Sequence, residues 1–349
     1  MNPFFSIIIP SYNSEKTLEG AVKSVQEQSF SDFEILIVDD ASSDWSFALA
    51  HKLSEEDERI RVLALAENNG AAVARNKGIE EAHGRYIMFL DSDDAYSPEL
   101  LKKVYEATAS RPDVVIWGNV EENLKSDGQV IYVREIIPEA ADLNNPKSIR
   151  AKVMDLEEVS LYGYLWNKAY KAELAKKITI PEQLFNEDEM YNIEFFNDVS
   201  SAIILNFAGT HYRKHEASLT HRQLADYYVL AMKRVAALFK QQKMWGNCNE
   251  NTLRRLGDLY VRYAASAIER TFRPAAAMHK PQRKLLLQRM FCSKLYEELI
   301  PYAWPNNLAL RFMYFGLKAK NVSMCLFTGW AINTARRISP SYYERRKAK

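Results

Sequence analysis

Three carboxylates, Asp91, Asp93 and Asp94, fall within four positions at the end of the apolar run Tyr86-Ile87-Met88-Phe89-Leu90. Like charges this close oppose one another's ionisation unless solvent, hydrogen bonds or a cation relieve them. No cysteine or close histidine pair accompanies them, so the donors are hard oxygens. That set suits magnesium or manganese, ions that bridge one or two carboxylates to substrate phosphates. Two further polar clusters follow apolar runs: Pro10-Ser11-Tyr12-Asn13 after FFSIII, and Asp39-Asp40 after EILIV. The chain has no GxxxxGK[ST] loop and no GxGxxG after a strand, so a cation would take over the work of a glycine-rich phosphate cradle. The competing reading is that each cluster caps a following helix, as Asp, Ser and Asn do well. It explains any one cluster better than all three.

The elements that must position these groups alternate. Strand-like runs at 4–9, 34–38, 61–65 and 86–90 are separated by helical stretches from Glu15 to Gln28, Ser43 to Glu56 and about Ala71 to Ala82. This βαβα order predicts a mainly parallel sheet covered on both faces, and the continuous apolar strands agree. Ligands of such sheets bind outside the carboxyl ends of the strands, where all three clusters lie. Ser97 and Pro98 read as the N-cap and first position of the next helix. DVVIWGNV, a turn at Ser126-Asp127-Gly128 and QVIYVREI then suggest a hairpin, and SAIILNF at 201–207 one more strand. Beyond about Tyr227 the chain reads as mostly helical.

Composition narrows the function classes. The 349 residues, 47% of them apolar, are enough for one α/β domain and a second region. With 46 basic and 45 acidic residues there is no global field for nucleic acid. Cys248, Cys292 and Cys325 are too scattered for a zinc site or a disulfide framework and fit a reducing compartment. The start, MNPFFSIIIPSYN, lacks a basic leader and is broken at Pro10, which predicts a cytoplasmic protein. From Leu308 onward nine basic residues face one acid, interleaved with Phe312, Tyr314, Phe315, Leu317, Phe327 and Trp330. Basic charge beside aromatic faces suits peripheral contact of 308–349 with the inner membrane; packing against the α/β domain or another subunit is the alternative.

SIIIPSYN, VQEQSFSDFEILIVDDASSD, ENNGAAVARNKGI and YIMFLDSDD, in this order, resemble the family 2 glycosyltransferases of the GT-A fold, with Asp91-Ser92-Asp93 as the DXD motif. The resemblance is strong over about 4–110 and looser to about 222. It implies an α/β GT-A, Rossmann-like catalytic domain over 1–225, with a nucleotide-sugar half at 1–110 and an acceptor half at 111–225. A helical region over 226–349 would follow, able to contact a membrane or pair two copies. The implied reaction is inverting transfer from a nucleotide-sugar donor, usually a UDP-sugar, to a hydroxyl of a glycan acceptor, which could be lipid-linked, with Mn2+ or Mg2+ as cofactor.

Carried onto this sequence, the resemblance puts Pro10, Tyr12 and Asn13 at the nucleotide, with Tyr12 stacking on the base. Asp40 would accept the uracil N–H with Asp39 as helper. Asn69 and Arg75 would lie at the rim near base and phosphates. Asp91 and Ser92 would reach the ribose or sugar, Asp93 would bind the metal, and His215 is a candidate additional ligand. NEDEM at 186–190 resembles the ED motif that supplies the general base, which places it on Asp188, with Glu187 as the fallback. Gly163 to Lys168 resembles the acceptor segment, with Trp166 stacking on a sugar and Lys168 approaching the diphosphate. Two alternatives stand beside this: a sugar-nucleotide-binding module without activity, and a same-fold transferase acting on a lipid or protein.

Overall fold

The computed structural model describes residues 2–124, 129–183, 185–214, 226–276 and 278–338. The expected turn at Ser126-Asp127-Gly128 and His215 lie outside the described residues. The chain forms two compact units, Met1–Ser218 and Leu219–Lys349.

Among the described residues the first unit is built on ten strands: β1 Phe5–Ser11, β2 Phe33–Asp39, β3 Ile60–Ala64, β4 Tyr86–Phe89, β5 Ala95–Tyr96, β6 Val114–Leu124, β7 Val130–Ile136, β8 Ala141–Leu143, β9 Lys168–Lys171 and β10 Ala202–Lys214. Their order across the sheet is β3-β2-β1-β4-β9-β6-β10-β5, with β7 beside β6 and β8 beside β10. β3, β2, β1 and β4 run parallel, as does the long β6–β10 ladder, while β9 lies antiparallel between β4 and β6. β1 and β2 are buried at every position, which is why they read as unbroken apolar runs. Ile7, Ile9, Ile35, Ile37 and Met88 pack on one face with Leu18, Val22 and Val25 from the helix Leu18–Gln26. Burying each such side chain contributes about 1.5–3 kcal/mol. On the other face Gly78, in the helix Ala71–Glu81, lies so close to Ile8 that a Cβ would overlap its side chain. Only glycine lets this helix approach β1 so nearly.

Helix starts differ from expectation: the first two helices, Leu18–Gln26 and Ser46–Glu56, begin three residues later than Glu15 and Ser43. The fourth helix begins at Leu100 rather than at Pro98, with Glu99 at its cap. Ser97 is drawn instead to β10, its backbone N–H donating to Gly209 O at 2.9 Å and its hydroxyl to Ala208 O at 2.8 Å. Tertiary pairing outweighs the local capping preference.

The second unit is helical: Tyr227–Met244, Glu250–Arg270, Lys280–Phe291, Lys294–Leu299, Leu308–Lys318 and Val322–Ile338. Glu250–Arg270 is its core helix, burying Leu256, Tyr260, Val261, Ala264 and Ile268. Asn249 caps it by accepting the Thr252 N–H at 2.9 Å. Among the described residues no helix is long and apolar enough to cross a membrane.

Candidate active site

The carboxyl ends of β1, β2 and β4 are locked level with one another. Asp40 N–H donates to Ser11 O at 2.8 Å, and Leu90 N–H to Ile8 O at 3.0 Å. Pro10 is buried within β1, paired with Val38. Tyr12, immediately beyond, is 48% exposed and offers a free ring face. Asn13 has φ of 51°, a left-handed conformation that Asn tolerates better than most residues. Its N–H donates to Ser42 Oγ and its Oδ1 accepts the Ser43 N–H, which ties the first loop to the second. Ser92 is linked to that same loop through Ser14 Oγ at 2.8 Å.

The two aspartates after β2 differ in what they hold. Both oxygens of Asp40 are already occupied, accepting the backbone N–H of Asn69 at 2.9 Å and of Gly70 at 2.8 Å. Asp40 therefore pins the 69–70 loop, and the Asn69 side chain turns to Glu67 O. Gly70, with φ of 90°, opens the helix carrying Arg75 from a conformation that suits glycine. Asp39 accepts the Ser42 N–H through Oδ2, but its Oδ1 is buried with no hydrogen-bond partner among the described residues. Ser11 Oγ is in the same condition and is paired with Asp39 in the β1–β2 register. Buried polar atoms are normally satisfied, so these two orphans at adjacent strand ends are exceptional.

Arg75 is the hub that joins distant parts of the chain. Its side chain is only 6% exposed and contacts Asp91 Oδ1 at 2.7 Å, Asp188 Oδ1 at 2.9 Å and Glu187 Oε1 at 3.6 Å. Burial opposes its charge, yet Asp188, Asp91 and Glu187 outweigh that and hold its pKa above the ordinary arginine range. Arg75 thus faces three carboxylates through its terminal nitrogens, while its buried Nε has no hydrogen-bond partner among the described residues. Asp188 and Glu187 start the helix Glu187–Phe195, whose N-cap Asn186 has φ of 62°. Burial pushes the Asp188 carboxyl up to about 7; Arg75 works against this, and the Glu187 and Asp91 charges add to it. Asp188 is thus poised to change protonation near neutral pH, as a general base should.

Asp93 is half-buried, whereas Asp94 is fully buried, its Oδ1 accepting the Arg213 N–H at 2.8 Å and its Oδ2 without a partner among the described residues. Burial first, then the Asp91 and Asp93 charges, drives the Asp94 pKa well above the ordinary range. Among the described residues no cluster of three or more His, Cys, Asp and Glu side chains forms a self-sufficient metal cage. An all-oxygen loop with one orphaned carboxylate oxygen nevertheless fits a divalent ion that completes its shell with phosphate oxygens and water.

Residues 6–178 match the sequence profile of Glycosyl transferase family 2. They form a glycosyl transferase family 2 domain. Over 109 residues the chain is 47% identical to the putative teichuronic acid biosynthesis glycosyltransferase TuaG of Bacillus subtilis, covering 31% of this chain and 43% of that protein. Over 116 residues it is 38% identical to the UDP-Glc:alpha-D-GlcNAc-diphosphoundecaprenol beta-1,3-glucosyltransferase WfgD of Escherichia coli, covering 33% and 45%. The chain thus spans less than half the length of these two curated relatives. Among solved structures, S. aureus TarS 1-349 in complex with UDP-GlcNAc superposes with a TM-score of 0.65 at 18% identity, covering 95% of this chain and 92% of that one, which is a likeness of fold.

Two expected acceptor residues of the family 2 domain are structural. Lys168 is fully buried, and its Nζ donates to Leu161 O at 2.8 Å, Tyr164 O at 2.6 Å and Asn167 Oδ1 at 2.8 Å. Burial lowers its pKa well below the ordinary lysine value. It braces the 161–167 loop from within and does not reach toward a diphosphate. Trp166 is 2% exposed, stacked on Tyr164 at 4.5 Å and tilted against Tyr212 at 5.3 Å, so it is packing. Ser11 belongs to the polar cluster expected at the end of the first strand but had no individual role there; its position between Pro10 and Tyr12 was the available signal.

Proposed function

We propose that this protein is a metal-dependent, inverting glycosyltransferase that moves a sugar from a nucleoside-diphosphate sugar, best a UDP-sugar, to a glycan hydroxyl in cell-surface polysaccharide assembly. The observation that carries the reading is Asp188, a carboxylate poised near neutrality, held to Asp91 by the one guanidinium of Arg75. A binding module has no use for such a base.

In this reading Tyr12 stacks on the nucleobase, while Asp39 Oδ1 accepts an imide N–H and Ser11 Oγ hydrogen-bonds beside it. Asp91 faces the ribose or sugar. Asp93 would hold Mn2+ or Mg2+, with Asp94 behind it; when bound, the ion neutralises charge on the diphosphate. Asp188 takes the proton of the acceptor hydroxyl as that oxygen attacks the anomeric carbon. The bond from that carbon to the diphosphate oxygen breaks, and its electron pair leaves with the nucleoside diphosphate. Attack opposite the leaving group inverts the anomeric centre. The names of TuaG and WfgD support a polysaccharide role, and that of WfgD supports a UDP-sugar and a lipid-linked acceptor.

Calorimetry with UDP-, GDP- and dTDP-sugars, in manganese and in EDTA, tests the donor. The expected result is metal-dependent binding of a UDP-sugar, weakened at least about tenfold in Asp39→Ala by loss of a buried charged hydrogen bond, and abolished in Asp93→Ala. Absence of binding by every nucleotide in manganese would overturn the proposal. Binding with no transfer or donor hydrolysis would favour the module reading.

A further inference from the structure

The second unit carries a surface that the transferase reading does not use. Phe272, Lys280, Arg283, Leu326, Phe327 and Trp330 line a groove of about 250 Å³. Phe327 and Trp330 are 66% and 50% exposed and lie ring to ring at 5.8 Å. They belong to one stripe of the helix Val322–Ile338, continued by the exposed Arg337, while Cys325, Thr328, Gly329 and Asn333 form its buried side. Gly329 meets Ile268 and Asn333 donates to Glu269 Oε1, both on the core helix Glu250–Arg270. The aromatic stripe is therefore the side that the unit's own packing leaves outward.

The charge around this stripe has one sign. The helices Lys280–Phe291 and Val322–Ile338 contain Lys280, Arg283, Lys284, Arg289, Arg336 and Arg337, and no Asp or Glu. Arg283 is fixed at the groove, donating to Thr271 O and lying over the Phe272 ring at 4.0 Å. Glu269, the acid behind the stripe, is buried and engaged by Arg273, Arg336 and Asn333.

We infer that the groove and stripe formed by Lys280, Arg283, Phe327 and Trp330 dock the protein on an anionic phospholipid bilayer. Exposed aromatics enter the acyl boundary while the surrounding cations meet lipid phosphates, which is the pattern of an interfacial helix. Among the described residues this helix is not long and apolar enough to cross a membrane, and it would lie in the plane. The inference stands independently of donor chemistry in the first unit.

Sedimentation of the full chain with phosphatidylglycerol-containing vesicles and with pure phosphatidylcholine vesicles tests it. Binding to the anionic vesicles should be stronger by about tenfold or more and should weaken at high salt. The double substitution Phe327→Ser/Trp330→Ser, and separately Lys280→Glu/Lys284→Glu, should each reduce it about tenfold or more. Unchanged thermal melting and unchanged nucleotide binding would show that these variants remain folded. Failure to bind anionic vesicles, equal binding to neutral ones, or indifference to both double substitutions would overturn the inference. Self-association of the native chain that the aromatic substitution abolishes, without vesicle binding, would assign the face to a second copy instead. Nucleotide binding reports on the first unit alone, so the two proposals fail separately.

Discussion

Replacing Arg75 by methionine removes the one cation that, among the described residues, touches Asp91, Glu187 and Asp188, while keeping an unbranched chain in its place. Breaking a buried ion pair from one side costs about 3–5 kcal/mol. Here the carboxylates are 20–29% exposed, so water screens part of the cost and the lower end, about 3 kcal/mol, is expected. The sign of the pH effect follows from Asp188, whose folded pKa already stands at about 7 against an ordinary 3.8, and which loses its opposing cation in the variant. Between those values the folded state holds more protons than the unfolded one, so stability falls as pH rises, by at most about 1.4 kcal/mol per unit. The penalty of Arg75→Met should therefore be full near pH 8 and substantially relieved near pH 5.5. Urea unfolding in EDTA should show a midpoint lower by about 1 M or more at the higher pH, with the transition of the helical unit unmoved. A loss below about 1 kcal/mol, or the same loss at both pH values, would refute the claim that these carboxylates depend on Arg75.

Asp188→Asn should lower kcat by about 10²–10⁴ with little change in donor affinity, and native kcat/KM should rise with pH through about 7 as the base deprotonates; a flat native profile would move the base elsewhere. Lys168→Met should destabilise the first unit by about 1–3 kcal/mol, because three oxygens lose a shared donor. Nucleotide-sugar affinity should stay unchanged, and a large affinity loss at unaltered stability would return Lys168 to the diphosphate.

Periodicity and apolar runs made the βαβα half legible, because two-sided burial writes itself into β1, β2 and β4 residue by residue. The helical second unit was readable for a similar reason. What escaped was set by contacts far apart in sequence. Asp39 and Asp40 are indistinguishable in isolation, and their roles separate only because the Asn69 and Gly70 amides arrive at Asp40. Arg75 looked like a rim residue until the helix at Glu187 closed on it. Trp166 and Lys168 have the composition of a sugar subsite, but Tyr164, Tyr212 and three loop oxygens consume them. The short β9, Lys168–Lys171, offered no strand signal of its own.

That strand governs how the chain must be made. β9 pairs with β4 through Met88↔Ala169 and with β6 through Val115↔Ala169, so it fills the seam between the early strands and the later ones. Until it is synthesised, β4 stands as an open edge bearing Tyr86, Ile87, Met88 and Phe89, an aggregation-prone template. A gene truncated near residue 110 would leave that template uncovered for good. Fragments ending there should collect as insoluble material, and during translation the nascent chain is most in need of a chaperone in the interval between β4 and β9.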